Sequence, residues 1–124
     1  MSKARVQIIA TLGPSSFSSE VIRSMFEKKL GVVRLNFSWN TLESHAEHIV
    51  NLRKIEKESG FSIPIIQDLP GPRIQNSKGH TYDHDSVSAI TERDIELIKF
   101  GVQQGVDYIA VSFVATSKDI IKCQ

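Results

Sequence analysis

The chain has 124 residues, of which 40% are apolar and 23% charged, with a formal net charge of +1. This is the size and composition of one ordinary globular domain with its own core. The near-neutral balance excludes bulk electrostatic capture of nucleic acid or of an anionic membrane, so any anion must be held locally. No apolar run approaches the ~20 residues needed to cross a bilayer.

Met1–Arg5 lacks the apolar stretch of a secretory signal, and the single cysteine, Cys123, has no internal disulfide partner. A cytoplasmic, reducing location is the expectation. The first apolar run, Val6-Gln7-Ile8-Ile9-Ala10, is short and β-branched and ends at Thr11-Leu12-Gly13-Pro14. It predicts a buried strand entering a tight turn. Ser15, Ser16, Ser18 and Ser19 each offer a helix cap. Val21, Ile22, Met25 and Phe26 then recur at helical spacing, with Gly31 as the stop.

Val32–Phe37 predicts the second strand. Asn40 and Glu43 have the spacing of a capping pair, and Leu42, Ala46, Ile49 and Leu52 or Arg53 mark one face of a long helix ending near Gly60. Ile63–Gln67 predicts the third strand, with its proline near the start, where a missing N–H costs least. Residues 69–90 then show no periodicity, holding Pro70-Gly71-Pro72 and the polar stretch Lys78–Asp85. They predict a loop longer than the usual connection. Thr91 and Asp94 form another capping pair, Ile95, Ile98 and Val102 the helical face, and Gly105 the end. Asp107–Phe113 predicts the fourth strand. Thr116 and Asp119 open a further helix whose apolar face begins at Ile120 and Ile121, so an interruption of the fold near Gln124 is expected.

Four short apolar strands alternating with helices predict an α/β class with parallel strands, right-handed crossovers and cover on both sheet faces. In such folds binding residues gather at the C-terminal strand ends. Those ends hold Thr11–Ser15, Arg34–Ser38, Gln67–Pro72 and Ser112–Val114. Arg34 is a fixed cation able to grip a phosphate or carboxylate through two parallel hydrogen bonds. Asn36, Ser38 and Asp68 bring hard oxygens to the same rim, suited to a bound cation. The structural alternative is that Arg34 simply pairs with Asp68 as a bridge between neighbouring strands. His80, Asp83, His84 and Asp85 have a spacing compatible with a divalent metal, although loose His and Asp in a loop are more often solvated. His45 and His48 are expected at the surface, and Trp39 packed beside the second strand.

Several phrases are more specific than their spacing. Ala10-Thr11-Leu12-Gly13-Pro14-Ser15-Ser16, Val33-Arg34-Leu35-Asn36-Phe37-Ser38, Asp68-Leu69-Pro70-Gly71-Pro72 and Gly105–Val114 resemble the pyruvate kinase family and follow its order. His45-Ala46-Glu47 and Thr91–Ile95 agree with it. The resemblance implies four βα units of a (β/α)8 TIM-type barrel, a half barrel over residues 1–124, with the short loop 75–88 where the family inserts a lid domain. It implies that Arg34 contacts substrate phosphate and that Asn36, Ser38 and Asp68 ligate potassium. Phosphoenolpyruvate and ADP are the implied ligands, with phosphoryl transfer giving pyruvate and ATP in glycolysis, assisted by magnesium.

Departures from the pattern temper that implication. Trp39 and Asn40 replace a histidine and a glycine, and Leu69 replaces a threonine that serves as a further potassium ligand, so a weakened potassium site is expected. The arginine that follows Gly-Pro in the family falls at Gln75, with Arg73 two positions earlier. The family's catalytic lysine and magnesium-binding carboxylates have no counterpart in these residues, so no catalytic residue is assigned and a truncated chain, inactive alone, is expected. A non-catalytic half-barrel assembly, or a phosphate- or cation-binding protein, is the alternative. Open sheet edges would favour a homo-oligomer.

Overall fold

The computed structural model describes residues 6–82 and 89–124, with the side chains at 74–76 and 80–82 outside the description. In chain order the elements are β1 (Ile9–Thr11), α1 (Ser19–Glu27), β2 (Val32–Asn36), α2 (Leu42–Ser59) and β3 (Ile65–Asp68). There follow β4 (Arg73–Asn76), β5 (Gly79–Tyr82), α3 (Glu92–Gln104), β6 (Tyr108–Ala110) and α4 (Ser117–Ile121). β1, β2, β3 and β6 form one sheet in that order, with every pair parallel. The α/β class and the four parallel strands are as the alternation predicted. The register sets Thr11 beside Arg34, Arg34 beside Ile66, and Asn36 beside Asp68. Chemistry-bearing residues of three strands therefore finish at one level.

Because successive strand residues face opposite ways, Val33, Leu35 and Ile65 turn toward the helices. There they bury with Ile22, Phe26, Ile49, Leu52, Ile55 and Leu97 in one core. The other face is not covered as the apolar runs predicted: Ile9 is 54% and Tyr108 57% exposed. Among the described residues no helix packs over it, so the sheet has one dry face and one open one.

The helix signals are partly as predicted. Thr91 and Asp94 make the predicted capping box, and Gly60 and Gly105 end α2 and α3 in the left-handed conformation that glycine adopts at least cost. Two signals resolve differently. α2 is capped by the Thr41 hydroxyl, which accepts from Ser44 N–H, while Asn40 sits at φ +67° in the turn before it. α1 is capped by Ser18 and ends by Lys28, with Lys29 taking the left-handed conformation. Gly31 is needed for close approach instead, since a Cβ there would lie 3.3 Å from Gln7 and from the Ile8 carbonyl.

Which helix faces are buried also departs from prediction. On α3 the inward residues are Asp94, Leu97 and Gly101, and Ile95 and Val102 are outward at 44% and 69% exposure. The cause is Gln67 on β3, fully buried and donating to the Leu97 carbonyl at 2.6 Å, with Gly101 providing its room. On α4, Ile120 and Ile121 are exposed, and Asp119 turns inward to accept from the N–H groups of Ala115 and Thr116. Finally, part of the aperiodic stretch 69–90 is not loop. β4 and β5 pair as an antiparallel hairpin, whose polar residues carry no alternating apolar pattern to announce it.

Candidate functional site

The C-terminal ends of β1, β2 and β3 build a polar rim. Arg34 donates from Nη1 to Thr11 Oγ1 at 2.7 Å and from Nη2 to the Asp68 carboxylate. The bridge between neighbouring strands therefore exists, and it holds Arg34 at the rim. Asp68 is 8% exposed, whereas the Arg34 side chain is one-third exposed and reaches the open side. Asn36 Oδ1 accepts Ser38 N–H at 3.0 Å, folding the chain back immediately after β2. Ser38 Oγ is buried and has no hydrogen-bond partner among the described residues. A buried hydroxyl without a partner is costly unless something else occupies that place. The predicted residues Arg34, Asn36, Ser38 and Asp68 thus meet at one strand-end rim. Leu69, fully buried in the core, brings it no side-chain oxygen.

Arg73 is engaged beside the neighbouring loop. Its Nε donates to the Pro70 carbonyl and its guanidinium lies 5.5 Å from the centre of the Phe113 ring. Gly71, at φ +65°, permits this packing, because a Cβ there would lie 3.0 Å from the same ring. The His80, Asp83, His84 and Asp85 grouping lies outside the described residues and side chains. Among the described residues there is no cluster of three His, Cys, Asp or Glu side chains placed to hold a metal ion.

A cavity of about 340 Å³ opens beside the rim, walled by Thr11, Pro14, Phe17, Asn36, Trp39 and His45 among others. Two of these walls correct the sequence reading. Trp39 is 51% exposed, because the turn after β2 carries it out over the cavity and away from the core. His45 is 2% exposed. Its Nε2 meets the Trp39 carbonyl at 2.8 Å, and its ring stacks on Phe37 at 3.9 Å between centroids. His48 stacks on Phe17 at 3.5 Å, half-buried rather than on the surface. Burial lowers the pKa of His45, the Trp39 hydrogen bond opposes this, and His48 adds to it. Burial likewise lowers that of His48 against the pull of Glu47. The missed signal was the spacing 45, 49, 52: His45 continues the buried stripe of α2.

An open-faced parallel sheet with an arginine, a carboxylate and two neutral side-chain oxygens at its C-terminal rim has the layout of part of a barrel-type α/β domain. The family model described as pyruvate kinase, barrel domain, matches residues 3–87 and 76–124. A pyruvate kinase from Agrobacterium vitis is 45% identical over 74 residues, 60% of this chain and 16% of that protein. One from Sporosarcina psychrophila is 28% identical over 116 residues, 94% of this chain and 19% of that protein. One from Thermococcus litoralis is 25% identical over 198 residues, 95% of this chain and 42% of that protein. The chain belongs to the pyruvate kinase family, within its barrel domain. It spans less than half the length of these relatives.

Proposed function

We propose that this chain is the phosphate- and cation-binding side of a pyruvate kinase barrel, in which Arg34 takes the phosphate of phosphoenolpyruvate. The observation that carries this reading is the rim itself. Arg34 is held by Thr11 and Asp68 through two of its N–H groups while its side chain stays one-third exposed on the open side. A guanidinium with further donors can keep its carboxylate and still bind a phosphate oxygen. Asn36, Ser38 and Asp68 are the potassium ligands of this reading, and the buried Ser38 hydroxyl, without a partner among the described residues, supports it. Hard neutral and anionic oxygens suit a hard monovalent cation. With Leu69 in place of an oxygen-bearing residue, the site is a weak one. When bound, potassium supplies fixed positive charge beside the phosphate. Asn36, Ser38 and Asp68 would hold it, and the Asp68 carboxylate also keeps Arg34 in place.

Magnesium has no cluster of ligands among the described residues, so no step is assigned to it. In this reading the chain by itself binds phosphoenolpyruvate and ADP in the cytoplasm without converting them. Arg34 holds the phosphate, but no metal-binding carboxylate cluster among the described residues adds the charge that the phosphoryl group needs in flight. The stretch 75–88 takes the place of an inserted lid domain. The alignment with the Thermococcus litoralis protein, 198 positions long against a chain of 124 residues, supports this.

Binding of phosphoenolpyruvate in potassium buffer, followed by amide chemical shifts, tests the assignment. Arg34→Ala should weaken it roughly tenfold or more, the scale of one charge-assisted contact. Unchanged binding in that variant would overturn the role of Arg34. Pyruvate formed from phosphoenolpyruvate and ADP, and abolished by Arg34→Ala, would overturn the inactive reading. A second reading, a non-catalytic homo-oligomer, is favoured by the half-exposed Ile9 and Tyr108 on the edge strands β1 and β6. A monomer by light scattering at high concentration would count against it.

A further inference from the structure

We infer that His45 is a positioning residue for this site: as a neutral imidazole it latches the turn 37–40, with Ser38 and Trp39, onto α2, and acid releases the latch. The part concerning Ser38 rests on the cation reading above; the latch itself does not.

The carbonyl of Trp39 can only accept, so the His45 nitrogen 2.8 Å away must carry the proton. The neutral ring is then the Nε2–H tautomer. The other nitrogen, Nδ1, is buried and has no partner among the described residues. A second proton must go onto Nδ1, where neither water nor an acceptor receives it, so charging the ring disfavours its present seat. The flat stack on Phe37 fixes the ring from the side, which ties both ends of the turn, Phe37 and Trp39, to one residue of α2. The turn's own bonds are modest: Ser38 N–H to Asn36 Oδ1 at 3.0 Å and Trp39 N–H to the Asn36 carbonyl at 3.4 Å. Asn40 then takes a left-handed conformation to lead into Thr41.

The charged groups around the ring come from two helices. On α2, His48 lies one turn on and disfavours a second charge, while Glu47 acts on His48. From α3, Arg93 and Glu96 line the hollow of about 250 Å³ that His45 shares with Phe37 and Asn40. They carry opposite signs and are exposed, so they largely offset each other and are screened. The Phe37 face favours a cation, yet burial dominates and sets the pKa below the ordinary 6.5. The latch is therefore whole above 6.5. As pH falls below 6.5 toward the lower folded value, protonation increasingly favours the released state.

Trp39 is the only tryptophan in the chain, so its fluorescence reads this turn directly. The test follows emission from pH 8 to 4.5 in the full chain, in His45→Gln, which keeps an N–H donor but does not titrate, and in His48→Gln. The expected result is one transition below 6.5 in the unmodified chain, absent in His45→Gln and retained in His48→Gln, with far-UV circular dichroism unchanged throughout. A transition that persists in His45→Gln, or vanishes in His48→Gln, overturns the latch. Should His45→Gln fail to fold, the C2-proton resonance of His45 in the unmodified chain must titrate together with Trp39 emission; a different midpoint overturns it equally. In a second arm, potassium affinity should drop at least threefold across the same interval in the unmodified chain and stay constant in His45→Gln. An equal drop in both overturns the positioning role. A fluorescence transition with no potassium response at any pH refutes the cation reading and leaves the latch standing.

Discussion

The sheet carries an arginine–aspartate pair at each end, and the two pairs have opposite characters. At the N-terminal floor, Arg53 of α2 donates to the carbonyls of Ile63 and Gly105 at 2.9 and 2.7 Å and to Asp107 at 2.9 Å. Asp107 in turn accepts Ile65 N–H at 2.8 Å, and Glu56 accepts Ile63 N–H at 2.6 Å. Every principal contact of that arginine ends on backbone or on a residue holding backbone, so the floor ties α2, β3 and β6 together. At the rim, Arg34 meets two side chains, its own side chain stays partly open, and a neighbouring serine hydroxyl lacks a partner among the described residues. The same chemical pair is structural where its valences are filled by main chain. It is a candidate binding group where they are not.

The largest test of this contrast is Arg53→Ala. It strips partners from two carbonyls and a carboxylate at once, and should cost about 2 kcal/mol in the urea or thermal midpoint. A loss no larger than that of Arg34→Ala would break the comparison. Gly101→Ala comes next, since Gly101 O receives Val106 N–H just above the floor and a Cβ would fall 2.1 Å from buried Gln67 Oε1. Overpacking of about 1–3 kcal/mol, less about 1 gained in helix propensity, leaves a net loss on the order of 1 kcal/mol. Arg34→Ala should cost stability only roughly 0.5–1 kcal/mol, as suits a partly open pair, while losing phosphate binding.

The smallest effect is acid sensitivity of the floor. Burial raises the Asp107 pKa, but its hydrogen bonds from Arg53 and Ile65 outweigh this and leave it below the ordinary 3.8. A depressed carboxyl stabilises the fold above its unfolded pKa and loses that contribution as pH falls through the folded one. Asp107→Asn should therefore lower stability near neutrality, where the charged carboxyl contributes, and flatten the loss of stability below about pH 4; an unaltered acid limb would remove Asp107 from the floor.

Local signals that close on themselves were legible without coordinates. The Thr91–Asp94 box needs only three intervening peptide units, and Gly60 and Gly105 relieve strain at their own positions. The rim was legible too, because a parallel alternation of strands and helices brings strand C-termini to one side, so Arg34, Asn36, Ser38 and Asp68 had to end near one another. The hairpin was not, because pairing of β4 with β5 depends on main-chain bonds that polar side chains do not advertise.

What the amino-acid order determined by itself was the class of fold, the alternation and the residues of the rim, since each follows from short-range periodicity. Tertiary structure decided which faces are dry. Ile95 and Val102 lost the inner face of α3 to Leu97 and Gly101 because Gln67 needed room there. His45 left the surface because Phe37 and the Trp39 carbonyl lie over its position on α2. Ile9 and Tyr108 stay exposed because burial requires a partner surface, and a residue's own apolarity cannot supply one.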